Sequence, residues 1–185
     1  MREAIGQDHR YAHVVRVARL ADRLAARHGV DSGRARLAGM LHDVARLYSG
    51  ERLLDECARR AMPVDDFERR NPIVLHARLG AELARERFGV DDPQILSAIR
   101  RHTVAAADMT PLDAIVYLAD GLEPGRRFAD REVLERTAFL DLDAAMAGLL
   151  RSTLAYMAAR GLDIAPQTHA ALATYERLER RPLPA

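Results

Sequence analysis

The sequence predicts an all-α fold, and three observations carry that expectation. Apolar residues recur at helical spacing along nearly the whole 185-residue chain, as in Val14, Val17, Leu20, Ala21 and Leu24. Aromatic residues make up only 5% and tryptophan is absent, so the core must rest on small and aliphatic side chains led by the strong helix formers Ala and Leu. No run alternates apolar and polar residues for long enough to read as a strand.

The elements follow in order. The first helix spans about residues 8–28 and closes at Gly29. A second starts after an Asp31-Ser32 cap and continues through Leu37, Ala38, Leu41 and Ala45. A shorter one follows Ser49, carries Leu53, Leu54 and Cys57, and ends before Pro63. Three later starts each place a capping side chain before a proline at the first helical position: Asn71-Pro72, Asp92-Pro93 and Thr110-Pro111. Their helices run to about Phe88, His102 and Leu122. Further helices occupy about residues 130–138, 141–160 and 166–180, and the proline-containing tail 181–185 is expected to fray. Residues 1–185 read as one domain, large enough to bury a sizeable core.

Composition narrows the function classes. With 49% apolar and 30% charged residues the chain reads as globular, and no apolar stretch approaches the roughly 20 residues of a membrane span. A cytoplasmic protein with no membrane association is the expectation. A net charge of +1 lacks the strongly basic face of a nucleic-acid binder. All 28 basic residues are Arg, which excludes lysine Schiff-base chemistry and a Walker A lysine. The single Cys57 offers neither an internal disulfide nor a cysteine zinc site and reads as a structural residue. Oligomeric state is not fixed, and a homodimer is compatible with the sequence.

The histidines carry the chemical signal. His9, His28 and His169 sit at helix ends or in polar surroundings and read as solvated. The other four lie on apolar stripes, where an unpartnered imidazole is costly. His13 shares a face with Val17, Leu20 and Leu24; His42 lies among Ala38, Leu41 and Ala45; His76 aligns with Ile73, Leu79, Gly80 and Leu83; His102 continues Ile95, Ala98 and Ile99. Each alone reads more readily as a hydrogen-bonded core histidine than as a metal ligand. Two aspartates change that balance: Asp43 follows His42 directly, and Asp120 ends the run from Ile115 on the face of Val116 and Tyr117. A buried carboxylate needs a cation, and no inward stripe supplies an arginine close in sequence. Four imidazoles and two carboxylates on five helices converge most economically on metal ions, of the Fe, Mn, Zn, Co or Ni type rather than calcium.

The order His, His-Asp, distant Asp is the HD-domain signature, and the longer strings narrow it. Arg-Tyr-Ala-His at 10–13, Leu-His-Asp-Val-Ala-Arg at 41–46 and Asn-Pro-Ile-Val-Leu-His-Ala at 71–77 resemble the YqeK family. So do Ala-Ile-Arg-Arg-His-Thr at 98–103 and Tyr-Leu-Ala-Asp-Gly-Leu-Glu-Pro-Gly-Arg at 117–126. These strings keep their order and spacing along essentially the whole chain. The resemblance implies an HD-domain helical bundle with a metal centre in its core, and symmetrical hydrolysis of diadenosine tetraphosphate to two ADP. It implies that His13, His42, Asp43 and Asp120 hold one metal, and that Asp43 bridges to a second held by His76 and His102. It implies iron. Two positions depart from the family pattern: Arg46 stands where Lys is usual, and Ala105 where Gly is usual.

Catalysis by metal-activated water would place Asp43 at its centre, with Arg46 and Arg126 as the cations best placed by sequence to balance phosphate charge. Thr103 either hydrogen-bonds substrate or ends its helix; Glu123 either orients Arg126 or is exposed. The small-molecule nucleotide partner is expected without any legible base-recognition element, since aromatic residues are so few. Two other readings compete: an HD phosphohydrolase for a nucleoside monophosphate or cyclic dinucleotide, and a non-catalytic nucleotide- or metal-sensing module.

Overall fold

The computed structural model describes residues 8–180, all helices and connections without a strand among them. The tail expected to fray lies outside the described residues. The helices are α1 (Asp8–Arg27), α2 (Ser32–Leu41), α3 (Gly50–Arg59), α4 (Asp66–Arg70), α5 (Leu75–Phe88), α6 (Pro93–Arg101), α7 (Pro111–Leu122), α8 (Arg131–Ala138), α9 (Leu142–Ala159) and α10 (Pro166–Glu179).

Helix α7 is the hub. Nine of its residues are buried, from Leu112 through Ala119 and again at Leu122, and it packs against α1, α2, α6, α8 and α9. Helices α1 and α2 form a close hairpin around the left-handed turn at Gly29 (φ 67°). Their approach depends on Gly39, where a Cβ would come within 2.9 Å of the Ala18 backbone. The main core gathers Val17, Leu24, Leu41, Ile99, Ile115 and Leu118; a smaller one joins α3 to α5 through Leu53, Cys57, Leu75 and Leu83. Cys57 is buried there, as a structural residue would be. Helices α9 and α10 pack together, and Thr168 of α10 donates to the Val104 carbonyl (2.8 Å), pinning the segment that follows His102.

The proline-marked starts divide. Asp92 caps α6 through the Gln94 amide, and Thr110 and Asp113 form a reciprocal capping box on α7. Asn71 does not cap: its amide donates to the Phe67 carbonyl and to Asp163, and a 3₁₀ turn, Pro72–Val74, leads into α5. The short α4 was not anticipated, although its Asp65–Glu68 capping box is legible in the sequence. The second helix ends at Leu41 rather than continuing through Ala45. From there Val44, Arg46 and Tyr48 bond to carbonyls three residues back, the tight 3₁₀ pattern, and Leu37 is left half-exposed. That tightening occurs where the consecutive residues His42 and Asp43 must both face inward.

Candidate metal centre

Five segments deliver the six residues that the sequence singled out: α1 brings His13, the turn after α2 brings His42 and Asp43, α5 brings His76, the end of α6 brings His102, and α7 brings Asp120. They meet. His42, His76 and His102 are buried, and His13, Asp43 and Asp120 are only slightly exposed on their side chains.

The imidazoles share one orientation. Nδ1 of His42 donates to the Gly39 carbonyl (2.7 Å), Nδ1 of His102 to the Ile99 carbonyl (2.7 Å), and Nδ1 of His76 to the Ile73 carbonyl. Nδ1 of His13 donates instead to the Glu123 carboxylate (3.1 Å). Carbonyl and carboxylate oxygens only accept, so each Nδ1 carries a proton and each ring turns its Nε2 inward. The Nε2 atoms of His76 and His102 lie 3.1 Å apart, and Nε2 of His42 is buried without a hydrogen-bond partner. Lone pairs gathered in this way repel unless a cation or proton lies among them. The Thr103 hydroxyl, 3.2 Å from Nε2 of His102 and 3.3 Å from Nε2 of His76, has a proton for only one.

Asp43 stands between two groups. Its Oδ2 lies 3.7 Å from Nε2 of His42 and 3.9 Å from that of His13; its Oδ1 lies 3.3 Å from His76 and 3.9 Å from His102. Asp120 Oδ1 is 3.2 Å from His13 and 3.9 Å from His42. Ligands about 2.1 Å from a common ion lie about 3 to 3.5 Å from one another, so the two groups fit metal-ligand spacing after small shifts. His13, His42 and Asp43 could hold one ion, and Asp43, His76 and His102 another.

The electrostatics agree with a ligand role. Burial works to raise the Asp43 carboxyl, but the hydrogen bond with His76 and the His42 and His102 rings outweigh it and hold Asp43 well below the usual carboxylate range. Asp120 is held low in the same way, against burial, by His13, His42 and Arg126. Burial chiefly, reinforced by the His42 and His76 rings, pulls His102 down to about 3, so this imidazole is neutral and free to ligate at neutral pH. Burial opposes charge on His13, yet Asp120 and Glu123 prevail and raise its pKa.

The arginines differ from the sequence expectation. Both carboxylates have one nearby after all: Arg126 Nη2 lies 2.5 Å from Asp120 Oδ1, and Arg10 Nη1 lies 3.5 Å from Asp43 Oδ2. Arg126 also donates through Nε to the Asp120 carbonyl (3.0 Å), so it braces this residue twice. Arg46 and Thr103 line the cleft of about 290 Å³ that opens over the centre, and Arg46 pairs with no carboxylate among the described residues. Glu123 is neither exposed nor bonded through its side chain to Arg126. Only 2% exposed, it accepts from Arg16, from the Gly125 amide (2.6 Å) and from His13. Arg10 and Arg16 were missed in the sequence, although spacings of three residues either side of His13 place them on its face. His28, expected to be solvated, bonds through Nε2 to the Ala138 carbonyl (2.7 Å).

The HD-domain family model matches residues 10–125, the span from Arg10 to the Gly125 turn that contains all six inward-facing residues. The chain belongs to the HD-domain family. Across its length this HD protein is 35% identical to a Bacillus subtilis protein named bis(5'-nucleosyl)-tetraphosphatase, symmetrical, covering 87% of this chain and 86% of that one. A Halalkalibacterium halodurans protein of the same name is 34% identical over 92% of this chain and 89% of that one. A solved structure from Clostridium acetobutylicum, described as a predicted HD superfamily hydrolase involved in NAD metabolism, superposes with a TM-score of 0.91 at 32% identity. The superposition covers 97% of this chain and 94% of that one.

Proposed function

We propose that this HD protein hydrolyses diadenosine tetraphosphate symmetrically to two ADP, at a centre of two transition-metal ions, with iron the first expectation and Mn, Co, Ni or Zn accepted by the same donors. The observation that carries the reading is Asp43, whose two oxygens face two separate histidine pairs. The whole-chain relatives named for this reaction support the substrate.

His13, His42, Asp43 and Asp120 would hold one ion, and Asp43, His76 and His102 the other. Bound there, such ions supply an activated water and positive charge against the phosphates. The chain's own residues supply the rest. The carbonyls of Gly39, Ile73 and Ile99 fix three rings with Nε2 inward, so only small shifts are needed when the centre fills. Arg46, unpaired on the cleft wall, meets the phosphate charge that grows on the leaving ADP. Arg126 holds Asp120 in place and extends the positive wall. Tyr117, a neutral phenol whose pKa burial chiefly pushes further upward, lines the cleft as well.

The test is elemental analysis of the purified protein combined with product identification on diadenosine tetraphosphate. Two metals per chain and ADP as sole nucleotide product are expected, with metal and turnover both lost in Asp43→Ala. Full activity in Asp43→Ala would overturn the assignment. Dominant turnover of a cyclic dinucleotide or nucleoside monophosphate would redirect the substrate, and tight nucleotide binding without turnover in metal-loaded protein would make this a sensor.

A further inference from the structure

A second hollow adjoins the metal cleft. Gly121, Leu149 and Thr153 line the cleft and also line this wider hollow of about 540 Å³. One wall of this hollow is a face of α9: Leu149, Ser152, Thr153 and Tyr156 follow the spacing that puts four residues on one side of a helix. The other wall is the segment after α7, with Gly125, Arg126, Arg127 and Phe128. The two spaces adjoin at Gly121, Leu149 and Thr153, and Gly121 is the neighbour of Asp120. A Cβ at Gly121 would stand 2.5 Å from Leu149 Cδ2, so the missing side chain lets Leu149 of α9 pack directly on α7 at that junction.

We propose that this hollow is a nucleoside subsite, which holds the base and ribose of one end of the substrate while its phosphates pass Gly121 toward Asp43 and Asp120. This rests on the reading of the reaction given above. The chain has only four Phe and five Tyr, yet one of each lines this hollow. Tyr156 is 56% exposed; the Arg160 guanidinium lies over its ring, 4.7 Å from the centroid, and the opposite face is what a planar base stacks upon. Ser152 and Thr153 add hydroxyls able to meet ribose or base edges. The basic groups lie on the opposite wall: Arg127 pairs with no carboxylate among the described residues, and Arg126 reaches from the hollow to Asp120. A ring and hydroxyls on one wall, with a second ring and guanidinium groups on the other, suit a nucleotide better than a bare phosphate chain, and the volume lies within the ordinary range for small-ligand pockets.

The experiment compares equilibrium binding of ADP and of inorganic pyrophosphate to the metal-loaded native protein, Tyr156→Ala and Tyr156→Phe. The native protein should prefer ADP. Tyr156→Ala should cut that preference roughly tenfold, while Tyr156→Phe, which keeps the ring, should retain most of it. Because Tyr156 is exposed, both variants should melt with the native protein, and loss of preference cannot be laid to unfolding. An unchanged ADP preference in Tyr156→Ala, or an equal loss in Tyr156→Phe, would overturn the subsite. Failure of the reaction itself is read separately: a protein that prefers ADP through Tyr156 but releases no ADP from diadenosine tetraphosphate keeps the subsite and loses the proposed function.

Discussion

Replacing Glu123 by Gln isolates one charge that the fold has placed behind His13. The carboxylate is almost wholly buried, bonded to Arg16, the Gly125 amide and His13 Nδ1. Burial acts to raise its pKa, but Arg16, the Gly125 amide and His13 overcome this and lower it from the ordinary 4.5 to about 2. At 1.36 kcal/mol per unit, that depression caps the charge's contribution at about 3 kcal/mol. The Arg16 side chain is 37% exposed, so solvent screening reduces the figure to about 1–2 kcal/mol. For a protein of this size the loss corresponds to a fall in Tm of roughly 3–6 °C. A group with a lowered folded-state pKa stabilises fully above its unfolded value and loses that effect as pH falls. The Tm gap between native protein and Glu123→Gln should therefore be complete near neutrality and shrink as pH drops from about 4.5 toward 2. A second readout is competition with a chelator: loss of the group that orients His13 should weaken metal retention about 10- to 100-fold. A Tm gap absent at neutral pH or widening in acid, with unchanged chelator sensitivity, would refute the reasoning.

Gly39→Ala should lower stability by about 1–2 kcal/mol despite the helix propensity it gains, because its Cβ meets the Ala18 backbone and not a yielding side chain; a stabilised variant in thermal melts would sink this account. Arg46→Ala should keep metal content and Tm but reduce kcat/KM on diadenosine tetraphosphate by at least about tenfold through loss of a charged phosphate contact; steady-state kinetics would show otherwise if this guanidinium only faces solvent. Ala105, with φ 59°, holds a left-handed conformation, so Ala105→Gly should be near neutral as relieved strain of about 1 kcal/mol offsets a lost buried methyl. Ala98→Gly, buried within α6, should instead cost about 2 kcal/mol, and equal denaturation midpoints for the two variants would contradict the assigned strain.

The helical content and the identity of the inward-facing residues were legible because both are periodic signals. An imidazole amid Ala, Leu and Ile at helical spacing has only one side to face, and His76 and His102 face it. Helix α7 was legible from end to end, since Thr110, Pro111 and Asp113 are local devices that need no tertiary partner. What failed did so where backbone bonding is decided between elements. Asn71 carries a good capping side chain, but Phe67 and Asp163 claim its amide. The second helix had the composition to continue through Ala45, yet the chain tightens at His42 and turns Asp43 inward.

Sequence alone determined that four histidines and two aspartates had to be gathered in an apolar interior, because burying them singly would cost more than the fold could supply. Their resemblance to a known pattern also implied a division of the six between two ions. Only the tertiary structure decided the partners. It put Glu123 behind His13 across 110 positions, set Arg126 on Asp120, left Arg46 unpaired on the cleft, and set a second hollow lined by Tyr156 beside it. The physical reason is one of range. Helical period and capping act over a few residues and can be read along the chain, whereas a charge chooses its partner by distance in space, which is fixed only when α1, α7 and α9 have packed.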